Sequence, residues 1–243
     1  MIKIQCFVLY VLGFFIVELN SSAVSFIKPC YADDDACLLH SAQAAVPYVA
    51  HGIPELKVPS AEPLFIKSVK DNDKDLKLEF SDIYIAGISN AKILKLNRDT
   101  KENTIKMVLE TPLNANGKYE LDGKIFIIHA FGEGDFQIKT DKVVVHLVMR
   151  VKDIEKDGKK HWKITGYNYT YDLESKVFIT LGNLFGGDKK KAEPFEHLLD
   201  VSWKEVVTEV GDKLLGDVIG AYVDVIKKFL VSTPSEQLEL KRH

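Results

Sequence analysis

The chain has 243 residues, with 32 Lys and Arg against 35 Asp and Glu, and 46% of its residues are hydrophobic. A formal net charge of −3 and a pI near 6.2 exclude the basic field that a nucleic-acid partner requires. Beyond the N-terminal region no run approaches 18 uninterrupted apolar residues, so what remains folds around one large core or two small ones.

The first element is a targeting segment. Lys3 precedes an apolar run over residues 7–17, too short to span roughly 30 Å of hydrocarbon but suited to a secretory h-region. Ser21, Ser22 and Ala23 supply small residues for cleavage, so residues 1–23 read as a signal peptide and the rest as a secreted, extracellular chain. A membrane anchor or an N-terminal amphipathic helix is the alternative, which the flanks and length disfavour. Cys6 leaves with that segment. Cys30 and Cys37 remain, and in an oxidising compartment they most simply pair with each other; free thiols or an intermolecular bridge are the other options. A metal site at these cysteines lacks ligands, since only His40 lies nearby.

Asp33, Asp34 and Asp35 stand before an Ala-rich apolar stretch over 36–45, where acidic side chains favour a helix start. A calcium loop would want a following glycine and a distant glutamate at loop spacing. Pro47 and the "HGIP" turn are expected to end this helix. Residues 51–69, "HGIPELKVPSAEPLFIKSV", then carry Pro54, Pro59 and Pro63 among apolar side chains. No helix interior or central strand runs through three such prolines, so an ordered, extended connector is expected, with Ile53, Leu56, Val58, Leu64, Phe65 and Ile66 buried.

From Leu76 the period becomes two. Leu76, Leu78 and Phe80 alternate with charges, and Ile83 and Ile85 resume one residue out of step, which predicts a bulge near Ser81 and Asp82. Strand-like runs follow at 93–96, 104–110, 118–128, 135–140, 143–151, 162–171 and 176–181. "NANG", "GEG", "EKDGKK" and "LGNLFGGDKK" read as the turns between them, giving a long antiparallel meander. Val143, Val145, Leu147, Met149 and Val151 form one apolar face, with His146 and Arg150 opposite. Tyr167, Tyr169 and Tyr171 line one face of the following strand, and Trp162 and Ile164 the other.

A long apolar sheet face needs a long cover. After Pro194, apolar residues recur at helical spacing from Trp203 to Leu230, and Ser202 with Glu205 fits a capping box. One helix over 203–230 would be about 42 Å long. Gly211, Gly216 and Gly220 cut against a simple helix and imply either close approach of the sheet or room for a ligand. The fold class is therefore α+β.

"GIPELKVPSAEPL" (52–64) closely resembles the signature of the insect takeout and juvenile-hormone-binding protein family. The resemblance continues through "FIKPC…C" (26–37), "GKYELDGKIFIIHAFGEGDFQI" (117–138) and "PFEHLLDVSWKEV" (194–206), in order over essentially the whole chain after the signal. It implies one domain over 24–243, in which a strongly curved antiparallel sheet wraps a long C-terminal helix around a tubular hydrophobic cavity. It also implies a carrier of small apolar molecules, such as juvenile hormone, other terpenoids, fatty acyl or quinone-like lipids, in haemolymph or sensory fluids. Family members are associated with feeding, circadian output and chemosensory behaviour. No cysteine follows Cys37, whereas the hormone carriers have a second disulfide. The chain thus looks like the takeout branch, with a longer or less specific lipid as its expected ligand.

No H-E-x-x-H, G-x-S-x-G or phosphate loop is present, so neither catalysis nor a cofactor nor a metal is expected. Phe126, Phe136, Val145, Phe178, Trp203, Val207, Leu214 and Ile219 are the expected wall of the ligand tunnel, and Tyr119 or Tyr222 could hold a polar head. Asn168 begins a glycosylation sequon that shares the parity of Trp162 and Ile164, which would turn it inward. Lys189, Lys190 and Lys191 read as a solvated loop, with transient membrane contact as the sharper option. The partners expected are a small hydrophobic ligand and, transiently, a membrane or receptor; the chain is expected to be a monomer. The rival functions are ligand-independent signalling and lipid transfer at membrane surfaces.

Overall fold

A computed structural model describes residues 24–73 and 75–242, so the expected signal peptide lies outside the described residues. The strands are β1 (Cys30–Tyr31), β2 (Leu64–Asp73), β3 (Leu76–Ala86), β4 (Lys92–Asp99), β5 (Thr104–Ile125), β6 (Ile128–Lys156), β7 (Lys159–Leu173), β8 (Val177–Leu181) and β9 (Glu239–Leu240). The helices are α1 (Asp35–His51), α2 (Lys189–Val201), α3 (Trp203–Glu209) and α4 (Asp212–Ser232).

The Asp34 carboxylate accepts the Cys37 N–H at 3.0 Å and starts α1, as an acidic N-cap should. The helix does not stop at Pro47; it carries that proline and ends at Gly52, whose φ of +88° suits glycine. Cys30 and Cys37 form a disulfide that ties β1 to α1, while β1 pairs in parallel with β9 and so fastens the C-terminal segment to the same end. The proline-rich connector is ordered. Ile53 and Val58 bridge each other around a 3-10 turn over Pro54–Leu56, and Ile53, Val58, Ala61 and Leu64 are buried. Phe65 departs from expectation: β2 has already begun there, and its alternation turns Phe65 outward against Tyr84.

β5 and β6 run 22 and 29 residues and pair along almost their whole length. Two expected turns are absorbed into them. "NANG" continues β5, because a side chain at Gly117 would meet the carbonyl oxygens of Ser81 and Asp82 at 2.7 and 2.8 Å, at the expected bulge in β3. "GEG" continues β6, because a side chain at Gly132 would collide with the Tyr119 hydroxyl of β5 at 2.7 Å, and one at Gly134 with the Gly182 carbonyl oxygen of the crossing segment at 2.7 Å. The hairpin turn falls instead at Phe126 and Ile127. "EKDGKK" is a two-residue turn, Asp157 and Gly158 at φ +52° and +72°, the left-handed pair that favours a tight hairpin.

Register shifts between Ser81 and Tyr84, Ile93 and Lys95, Thr111 and Leu113, and Arg150 and Val151 interrupt the ladders. Each adds local bend and twist. At about 3.3 Å per residue, β6 would extend roughly 95 Å if straight, whereas α4 is about 31 Å long. The strand therefore curls around the helix.

The main path of the sheet is β2-β3-β5-β6-β7, open at its edges, with β4 beside β5 and β8 beside β6. α4 packs against both β2 and β7, the two ends of that path, and fills the gap between them. The architecture is α+β, a strongly curved antiparallel sheet wrapped on a C-terminal helix.

The C-terminal helix is not one rod. It breaks at Ser202 and again at Val210–Gly211, leaving α2, α3 and α4 in series, with Pro194 inside α2. Ser202 makes no side-chain cap bond, so the expected capping box is absent. Gly216 and Gly220 have a packing reason: added Cβ atoms would lie 2.5 Å from the Tyr169 hydroxyl and 3.0 Å from the Tyr167 hydroxyl. Leu214, Val218, Ile219, Val223, Val225, Phe229 and Leu230 are the buried side chains of α4. Burial stabilises each by roughly 1.5–3 kcal/mol relative to exposure.

Candidate functional site

A cavity of about 280 Å³ lies between α1, the concave face of the sheet and α4. Each wall follows from local periodicity. β6 supplies Val143, Val145, Leu147 and Met149, and β5 supplies Ile105, Met107, Leu109, Thr111 and Leu113, alternate residues that all point to one face. α4 contributes a stripe from Leu215 to Leu230, and α1 contributes Leu38, Ala42, Ala45, Val46 and Val49 at helical spacing. The small alanines on α1 leave space that larger side chains would fill. A second cavity of about 100 Å³ shares Leu113, Val143, Leu215 and Val218 with the first, so the two adjoin along the helix.

The structure divides the expected wall residues into five groups. Val145 and Ile219 line the larger cavity; Val207 and Leu214 line the smaller one. Phe136 is buried but stands behind the smaller cavity, edge-on to Phe80 at 4.8 Å. Trp203 is half-buried at the start of α3 and lines neither cavity. Phe126 and Phe178 lie on the outside. Phe126 occupies the β5–β6 turn beside Ile127, which is 95% exposed, and in β8 it is Val177, Ile179 and Leu181 that point inward, leaving Phe178 outward.

The walls supplied by α1 and by Ile93 and Leu96 of β4 were not expected. A hint was available in Ala42 and Ala45, which share a face with Leu38, Val46 and Val49 at helical spacing.

Few polar groups reach the larger cavity, and most are already engaged. The Ser41 hydroxyl donates to the Lys28 carbonyl at 2.8 Å, and the Thr111 hydroxyl donates to the Gly87 carbonyl at 3.1 Å. Tyr222 lines the cavity, and burial holds its phenol well above the usual tyrosine range. Tyr119, the other tyrosine considered for a head group, donates to the Gly182 carbonyl at 2.7 Å and lines neither cavity; burial pushes it up to about 12. Arg98 is the charged residue of the wall.

Outside the cavity, Asn168 faces solvent, against its sequence parity. The register shift at Arg150/Val151 leaves Thr165 unpaired in β7, so Trp162 and Ile164 point inward before it while Gly166, Asn168 and Thr170 follow the outward parity after it. Among the described residues, no group of three or more His, Cys, Asp and Glu is placed to hold a metal ion. Lys189–Lys191 are exposed in the first turn of α2, where the Asp188 carboxylate accepts the N–H groups of Lys190 and Lys191.

Comparison with known proteins places this geometry. The chain is 26% identical over 234 residues to the circadian clock-controlled protein daywake of Drosophila melanogaster, covering 91% of this chain and 90% of that one. It is 28% identical over 93 residues to the juvenile hormone-binding protein of Manduca sexta, covering 37% and 41% of the two chains. The crystal structure of Epiphyas postvittana Takeout 1 superposes with a TM-score of 0.84 at 24% identity, over 88% of this chain and all of that one, and shares the fold. Residues 8–239 match the family model described as haemolymph juvenile hormone binding protein, and the chain belongs to that family.

Proposed function

We propose that the chain is a secreted, non-catalytic carrier that holds one small apolar molecule in the cavity between α1, the sheet and α4. The observation that carries this reading is the cavity itself: about 280 Å³, walled almost entirely by apolar side chains. Its volume is near the lower end of small-molecule sites, roughly 300 Å³, and the adjoining space extends it along α4. Each 100 Å² of apolar ligand surface withdrawn from water contributes about 2.5 kcal/mol. The ligand classes that fit are terpenoids such as juvenile hormone and fatty acyl or quinone-like lipids. The relatives' names support a hydrophobic cargo.

The test is native mass spectrometry with lipid extraction on protein secreted from insect cells. A stoichiometric apolar adduct is the expected result. A clean apo mass that takes up no fatty acid, terpenoid or quinone would overturn carriage and favour a ligand-independent interaction role.

A second reading, exchange of cargo at a membrane surface, is favoured by the β5–β6 hairpin tip. Phe126, Ile127 and Phe131 are exposed there, next to Ile125 in the wall of the smaller cavity. Flotation with phosphatidylcholine vesicles tests it, and protein that stays at the bottom of the gradient would count against this reading.

A further inference from the structure

Among the described residues that line the larger cavity, Arg98 is the one that carries a charge. Its side chain is 7% exposed, and its Nε lies 3.2 Å from Oε2 of Glu239 in β9, a carboxylate 16% exposed. Nη1 donates to the carbonyls of Asp99 at 2.6 Å and Thr104 at 3.3 Å. The guanidinium carbon sits 5.1 Å from the centre of the Trp162 ring. Nε and the Glu239 Oε2 facing it are buried without a hydrogen-bond partner among the described residues, and Nη2, which makes no hydrogen bond to them either, leaves part of a five-donor guanidinium open to a ligand acceptor.

The position of this group along the tube is defined. His161, next to Trp162, bridges Pro234 just beyond α4, and Leu238, the neighbour of Glu239, lines the same cavity. Arg98 therefore stands at the C-terminal end of α4. The apolar stripe from Leu230 back to Leu215 runs away from it for about 22 Å.

Charge decides which ligand atom suits Nη2. Arg98 and Glu239 already neutralise each other in a poorly solvated place. An ionised carboxylate would add a second negative charge beside Glu239 and leave the buried cluster at −1, with no further cation in the wall. An ester carbonyl, a ketone or a hydroxyl would accept from Nη2 and add no charge.

We propose that Arg98 anchors the head of a linear apolar ligand through a neutral oxygen acceptor, and that Glu239 discriminates against the corresponding free acid. This inference rests on the carrier reading of the same cavity.

The test compares methyl palmitate with palmitate at pH 7.5 by competition in native mass spectrometry, on the parent chain and on E239Q, R98M and R98M/E239Q. The parent is expected to prefer the ester by at least tenfold. E239Q, whose cluster is net positive, should narrow or reverse that preference by at least tenfold. R98M should lose several-fold in ester affinity, and the double variant, which leaves no unpaired carboxylate, keeps the test open where R98M folds poorly. Equal affinity of the parent for both compounds, or an unchanged ratio in E239Q, overturns the head-group assignment and leaves carriage standing. A parent that takes up neither compound, nor any terpenoid or quinone, overturns both.

Discussion

Replacing Gly216 by alanine should destabilise the fold, although alanine is the better helix former by about 1 kcal/mol. The added Cβ would lie 2.5 Å from the Tyr169 hydroxyl oxygen, closer than real Cβ contacts come, and 3.6 Å from the ring carbon that bears it. The Tyr169 backbone is held in β7 and its ring stacks beside Tyr167 at 6.4 Å, so moving the hydroxyl aside disturbs that contact. Overpacking of this kind costs about 1–3 kcal/mol, so the net effect of Gly216→Ala is a loss of about 0–2 kcal/mol. The Tyr169→Phe background reverses the sign. Without the hydroxyl the nearest contact becomes the ordinary 3.6 Å one, and Gly216→Ala should then stabilise by about 1 kcal/mol. Urea unfolding of the four chains of this cycle measures both effects; with a slope near 2 kcal/mol/M, 1 kcal/mol moves the midpoint by about 0.5 M. The expected coupling is about 1–3 kcal/mol. An equal rise in midpoint from Gly216→Ala in both backgrounds would refute the claim that the tyrosine sets the need for glycine.

Filling the larger cavity with Ile219→Trp should lower ligand occupancy at least tenfold in native mass spectrometry while the circular dichroism spectrum stays that of the parent; full occupancy in the folded variant would remove Ile219 from the wall. Leu214→Trp fills the smaller cavity and should weaken only ligands long enough to reach it, which a chain-length series reads directly. Burial raises the phenols of Tyr119 and Tyr171 to about 12, with the Asp212 carboxylate, which accepts from Tyr171 at 2.9 Å, adding to the second. Because the folded state holds these protons past the ordinary value near 10, their stabilisation is complete below about pH 10 and is lost as pH rises through 12. The urea midpoint should therefore fall over that range, less steeply in Tyr119→Phe/Tyr171→Phe; an identical fall in both would exclude these phenols as the cause. Asn168 is exposed and, in chain secreted from insect cells, should carry a glycan that peptide N-glycosidase removes, with Asn168→Gln abolishing the mass shift. An unmodified Asn168 would count against that expectation.

Alternation and helical spacing were enough to read the α+β class, the inward face of β6 and the apolar stripe of α4, because those patterns state which side of an element avoids water. The pairing of Cys30 with Cys37 followed from proximity in the chain. What needed the tertiary structure lay wherever a second element changed the meaning of a residue. Gly117, Gly132 and Gly134 read as turn formers, yet they sit inside strands because neighbouring backbone, and at Gly132 the Tyr119 hydroxyl, approaches too closely for a side chain. One bulge at Thr165 reversed the parity of β7 and carried Asn168 to the surface, while Phe178 and Phe126 lost their expected place in the wall to strand register and to a turn. The cavity belongs to this second kind of fact. Periodicity tells which side chains turn inward, but whether they meet or leave 280 Å³ between them depends on how α1, the sheet and α4 are spaced. The same spacing brings Arg98, Trp162 and Glu239 together at one end, three residues far apart in sequence and joined only by the folded chain.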